Sequence, residues 1–183
     1  MRHLARSHIR LLIASLGVIA LTTVAAAWGR GHRPEVTVES VPAWSPRVDA
    51  VNEALAKRDV RRALAVWREA HAAARAAQDW EGMLAVGDAY LRIGEAADFR
   101  RAFVPGARHQ YLGALLRARD TRSVEGVLSA AEAFAGLGDV IVVRQALGIA
   151  EPLIGPEPNA RVLQRLATLS RWAADRMVAA AQR

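Results

Sequence analysis

The side chains able to do chemistry are few and scattered. Histidines stand at positions 3, 8, 32, 71 and 109. None falls in an HExxH arrangement and no two are spaced i, i+4, so metal ligation has no sequence support. Cysteine is absent, which removes thiolate metal sites, cysteine nucleophiles, disulfides and a lipoprotein anchor together. No GxxxxGK[ST] phosphate loop, GxGxxG turn or GxSxG nucleophile elbow occurs. Carboxylates such as Asp88 and Glu132 remain as acid–base candidates, but nothing in the sequence sets them opposite each other across a cleft. The expectation is a non-catalytic protein without metal or cofactor.

Charge and hydropathy place the elements that must carry any other activity. The formal charge is +7, and five arginines against Glu35 put +4 of it into residues 1–35. The remainder of the chain is nearly balanced, which argues against a nucleic-acid footprint. Lys57 is the sole lysine, a bias of the kind a GC-rich bacterial genome imposes. Leu11 to Ala27 is uncharged and apolar and follows three arginines, the pattern of an export signal or membrane anchor. Ala25-Ala26-Ala27 suits cleavage before Trp28, and Trp28 equally suits a headgroup-level anchor. Both readings stay open for residues 1–27, with inner-membrane attachment through residues 11–27 if they are retained. Residues 28–45 read as a flexible tether rich in Gly, Pro and polar residues.

From Ser45-Pro46 onward the pattern is helical, and Ser45 is expected to cap the first helix with Pro46 at its start. The periodicity predicts helices near 46–57, 60–77, 80–93, 97–104, 107–118, 122–136, 140–150 and 159–181. Val140 to Val143 is the only β-like run and is too isolated to build a sheet. The last helix spaces Val162, Leu166, Leu169, Ala173 and Met177 along one stripe, with Arg161, Arg165, Arg171 and Arg176 mostly off it. That suits a terminal helix, within residues 156–183, covering the open end of a stack.

A small–aromatic–small signature occurs twice, as Gly87-x2-Tyr90-x3-Gly94 and Ala131-x2-Phe134-x3-Gly138. Each follows helical residues, Met83 and Val86 in one and Val127 and Ala130 in the other. Partner helices read Ala63-x3-Trp67-x2-Ala70, Ala107-x3-Tyr111-x2-Ala114 and Val143-x3-Leu147-x2-Ala150. This pattern resembles the tetratricopeptide repeat (TPR), whose repeats of about 34 residues are paired antiparallel helices A and B. The resemblance covers residues 46–155 as three repeats and implies an all-α fold, antiparallel hairpins stacked as a short solenoid. It places Trp67, Tyr90, Tyr111 and Phe134 in the core. Two departures stand out. The first A helix lacks the aromatic and the closing Gly, and residues 95–106 read as an insertion or elongated turn after Gly94.

In that family the A helices line a concave groove. Carried over by position, the groove residues are Val48, Asn52 and Leu55 in the first repeat. Glu81, Leu84, Asp88, Leu91 and Arg92 follow in the second, and Glu125, Leu128 and Glu132 in the third. Leucines mixed with four carboxylates should prefer a partner segment that is apolar and carries basic residues. Arg100, Arg101 and Arg108 form either a separate basic lip or an ordinary soluble helix face. The implied function is a protein–protein interaction scaffold or assembly adaptor of the bacterial cell envelope, facing the periplasm from the inner membrane or released into it. The alternative is an exported helical domain that binds a small molecule between its helices. A catalytic helical site is the least favoured reading.

Overall fold

Five helix starts follow directly from short polar residues whose side chains accept from backbone N–H groups just ahead of them. Asp59 caps Arg62, Asp79 caps Gly82, Ser123 caps Gly126, Asp139 caps Val142 and Asn159 caps Arg161. Each such cap satisfies a donor the helix leaves free and contributes about 1 kcal/mol. The structure, a computed structural model, describes residues 41–157 and 159–182. Within them run α1 (Ser45–Ala56), α2 (Val60–Ala77), α3 (Trp80–Ala96), α4 (Arg100–Asp120), α5 (Val124–Gly136), α6 (Val140–Ala150) and α7 (Ala160–Ala181). A 3-10 turn at Glu151–Leu153 links α6 toward α7, and no strand occurs among the described residues. The chain is all-α there, and Val140 to Val143 open α6 as expected. The signal or anchor segment 1–27 and most of the tether lie outside the described residues. Among those described, no helix is long and apolar enough to cross a membrane.

Connections from α1 to α6 are two or three residues long, so consecutive helices reverse direction. The turns hold Arg58, Gln78, Asp98 and Arg122 at φ of 55–58°, and Gly138 at 78°. A left-handed residue bearing a side chain costs about 1–2 kcal/mol, so four of these five reversals are held closed by the packing around them. Every helix packs on its successor, and α1 touches α3, α3 touches α5 and α5 touches α7. The even-numbered helices have at most marginal contact with one another. The odd-numbered helices α1, α3, α5 and α7 thus form one layer, whose solvent-facing surface is termed the inner face after the groove expected from the sequence.

The core is built on close approach rather than bulk. Buried alanines such as Ala63, Ala70, Ala74, Ala107, Ala114 and Ala118 let helices meet backbone to backbone, with Tyr111 and Phe134 filling the larger gaps. Trp67 and Tyr90 are only half-buried; their rings lie 4.5 Å apart, and Tyr90 is 4.6 Å from Phe103. Trp67 also donates its indole N–H to the Val86 carbonyl at 2.8 Å, which ties α2 to α3. A Cβ on Gly87 would sit 2.5 Å from Tyr111 Cε1. The small residue of the signature is therefore the floor under an aromatic of the next helix.

Three expectations about local structure change. Residues 97–104 and 107–118 are not two helices, because α4 runs unbroken through Pro105. Pro105 lies in the second turn, so its missing N–H removes only one early hydrogen bond, and Gly106 leaves the space into which the Tyr90 ring packs. Residues 95–106 are thus the end of α3, a three-residue turn and the first turns of α4, and not an elongated loop. Ser45 does not cap α1. The cap position is Trp44, with no side-chain cap, and its indole N–H donates to Asp79 at 3.0 Å instead.

Candidate binding groove

The eleven groove positions inferred from the sequence all fall on α1, α3 and α5, but they do not share one exposed surface. Asn52, Glu81, Asp88, Glu125 and Glu132 are exposed, and Leu55, Leu84 and Arg92 are half-buried. Val48, Leu91 and Leu128 are buried in the two core clusters. These three hold helices together and offer nothing to a ligand. The apolar part of the groove is therefore reduced to Leu55 and Leu84.

At the α5 end the groove is already occupied from within. Arg165 of α7 forks onto Glu132, with Nε donating to Oε1 at 2.7 Å and Nη2 to Oε2 at 2.8 Å. The same guanidinium reaches Ser129 Oγ at 2.9 Å and pairs with Glu125. Its side chain is only 16% exposed. A bidentate fork of this kind is stronger than a simple surface pair. The hydrogen bond to Glu132 raises the Arg165 pKa above its ordinary value against the opposing effect of burial. Beside this knot lies a cleft of about 720 Å³ with Trp80 and Leu169 as its apolar walls and Arg161, Gln164 and Thr168 along α7. Glu125 and Glu132 converge here, yet on a shared guanidinium rather than on a vacant reaction centre.

Toward α3 the inner face is differently arranged. Tyr111 of α4 donates its hydroxyl to Asp88 at 2.6 Å. Burial first, and this bond second, push the Tyr111 pKa well above the phenol range. One helical turn on, Arg92 has its Nε out of solvent without a hydrogen-bond partner among the described residues. Glu81 makes no ion pair among them either. The three arginines of the proposed basic lip do not act together: Arg100 pairs with Glu95, Arg108 with Asp139, and Arg101 is simply exposed. His71 lies half-buried against Trp67, ring centroids 5.1 Å apart. Burial, then Arg75, lower its pKa below the imidazole range.

Comparison with protein-family models, curated proteins and solved structures returned no match to this chain. The geometry alone therefore carries the reading. Among the described residues, no group of three or more potential ligands could hold a metal ion.

Two features escaped the sequence reading although signals for them were present. Glu125, Ser129 and Glu132 stand at i, i+4 and i+7, a polar line on an otherwise apolar helix, and that line is where Arg165 docks. Trp80 lies over Gly126 just as Trp44 lies over Gly82. The clue is the shared Glu-Gly after each cap, in Asp79-Trp80-Glu81-Gly82 and Ser123-Val124-Glu125-Gly126.

Proposed function

We propose that the protein is a non-catalytic interaction scaffold or assembly adaptor of TPR type, whose inner face holds a partner segment carrying arginine or lysine among apolar residues. The observation that carries this reading is Arg165. An amphipathic, arginine-bearing helix lies against α5 and satisfies Glu125, Ser129 and Glu132 at once. A partner helix of the same chemistry would find Glu81, Leu84, Leu55 and Asn52 along the continuation of that face. The basic flank and apolar run of residues 1–27 support an address in the bacterial cell envelope, with the folded part on the periplasmic side. A small-molecule site is less well supported, because the polar groups around the cleft beside Arg165, Glu125, Ser129 and Glu132, are already engaged by that arginine.

The test is site-specific photo-cross-linking of the full-length protein in its native membranes. A photoreactive residue at Leu84 or Asn52 should capture a defined envelope protein, while one at Arg68 on α2 should not. Equal labelling from both faces, or a small molecule retained with no protein captured, would remove the scaffold reading.

A further inference from the structure

The two layers of the fold separate charge as well as helices. On α2, α4 and α6 stand ten arginines and only two acids, Glu69 and Asp120, a net of +8. On α1, α3 and α5 stand seven acids and only two bases, Arg47 and Arg92. Helix α7 adds four arginines and Asp175 to that second layer, which stays negative. The near balance of charge over residues 36–183 conceals this division. Genome composition can set arginine in place of lysine, but it does not sort charge between layers. The two faces are about 20 Å apart, two helix diameters, beyond the screening length of about 8 Å at physiological salt. A neighbouring surface therefore meets the potential of one face and not the sum.

The basic face is open. Only Arg100, Arg108 and Arg119 take part in ion pairs. The other seven arginines have none among the described residues, and six of the seven are exposed. Along α2, Arg61, Arg68 and Arg75 stand two turns apart, about 10.5 Å, with Ala65 and Ala72 exposed between them. On α4 and α6 the gaps between arginines hold Leu112, Leu116 and Ile141, exposed at 43%, 41% and 70%. No Trp, Tyr or Phe of these three helices is exposed, so the face offers nothing on which nucleobases could stack.

We propose that the face of α2, α4 and α6 docks on a bilayer surface of anionic phospholipid. Its arginines meet headgroup phosphates, while Leu112, Leu116 and Ile141 reach the acyl boundary. The guanidinium fork matches phosphate oxygens, and branched apolar side chains set among cations are the composition of an interfacial surface. Each arginine that reaches an anionic leaflet strengthens the attraction roughly fivefold. The same leaflet repels the acidic layer, so the separation of charge sets an orientation. The basic face turns to the lipid, and the inner face turns to water, open to a partner. The inference rests on the envelope address proposed for the chain: as a flexible coil, residues 28–45 hold the folded part within about 25 Å of the bilayer.

The chain has no cysteine, so single cysteines report the orientation cleanly. Full-length Leu112→Cys and Asn52→Cys proteins carry a bimane label and are reconstituted into vesicles that hold nitroxide-bearing lipid. In vesicles of phosphatidylglycerol with phosphatidylcholine, the label at 112 should be quenched several-fold more than the label at 52. The difference should vanish in phosphatidylcholine alone and at high salt. Paired Arg61→Glu and Arg68→Glu should abolish it, whereas paired Arg61→Lys and Arg68→Lys should keep it, with helical circular dichroism unchanged in both. Equal quenching of the two labels, indifference to phosphatidylglycerol, or a difference that survives the charge reversal would overturn the proposal. So would a DNA oligonucleotide that shields the label at 112 from iodide where anionic vesicles do not, which would give the face to nucleic acid. Flotation with neutral vesicles reads the apolar segment alone. Its failure would count against the envelope address and leave the comparison on anionic vesicles to decide the face.

Discussion

The two ends of the inner face carry similar side chains in opposite states. On α1 and α3, Asn52 and Glu81 are exposed and Leu84 is half-buried, while Asp88 accepts from Tyr111. On α5, Glu125, Ser129 and Glu132 are engaged by a single arginine from the end of the folded chain. Acidic groups on a helix therefore do not by themselves define a free binding surface. Helices α3 and α5 are each flanked by a later one, α3 by α5 and α5 by α7. Only α7 brings an arginine onto its neighbour's carboxylates among the described residues, and that side chain decides whether they face a partner or their own molecule.

Reversing the charge at Arg165 should break this contrast most severely. Arg165→Glu leaves three carboxylates facing one another under α7. Removing one partner from a well-buried pair is strongly destabilising, and with Glu125 and Glu132 about half exposed the expected loss is about 3 kcal/mol. Urea unfolding would measure it, and limited proteolysis should show cleavage in 160–181 first. At the other end, Asp88→Ala strands the buried Tyr111 hydroxyl and should cost about 2 kcal/mol. Proteolysis of α7 should stay at the parent rate; if α7 loosens as well, the two ends are not independent. Arg165→Met keeps the apolar contacts of α7 but vacates Glu125 and Glu132. A peptide spanning residues 159–182 should then bind about tenfold more tightly than to the parent, near 1.4 kcal/mol, with salt weakening it in calorimetry. No gain would mean that the carboxylates do not recognise an arginine helix.

The smallest effect concerns acid. His71 is held below the ordinary imidazole value of about 6.5, so the unfolded chain binds its proton more readily than the folded one. Its contribution to stability is complete above about pH 6.5 and is lost as the pH falls through the lower folded value. His71→Gln should flatten the stability profile between neutral and mildly acidic pH. An unchanged slope in thermal melts would locate the acid sensitivity elsewhere.

Helix class, most boundaries and the packing role of the aromatics were legible because they depend on local periodicity and caps. Asp59, Asp79, Ser123 and Asp139 act within three residues of themselves. Pro105-Gly106 misleads for the same reason: read locally it breaks a helix, while its actual setting is made by Tyr90 on the preceding helix. Val48, Leu91 and Leu128 match the groove positions by spacing and are buried instead, because a rotation of one residue about a helix axis is about 100° and interior and inner face adjoin. The polar line Glu125, Ser129 and Glu132 is legible on α5, but its pairing with Arg165 is not, since these partners stand 33 to 40 residues away. The order of packing, rather than composition, assigns it.

Trp80 gives the molecule a built-in optical reporter. Its indole walls the cleft beside Arg165, on the path along which α3 passes to α5. A helix settling there would exclude water from that ring, shift its emission to the blue and shield it from iodide. Five tryptophans contribute to the raw signal, but Trp80→Phe subtracts this one. The state of the inner face can therefore be followed in a cuvette without attaching any label to the protein.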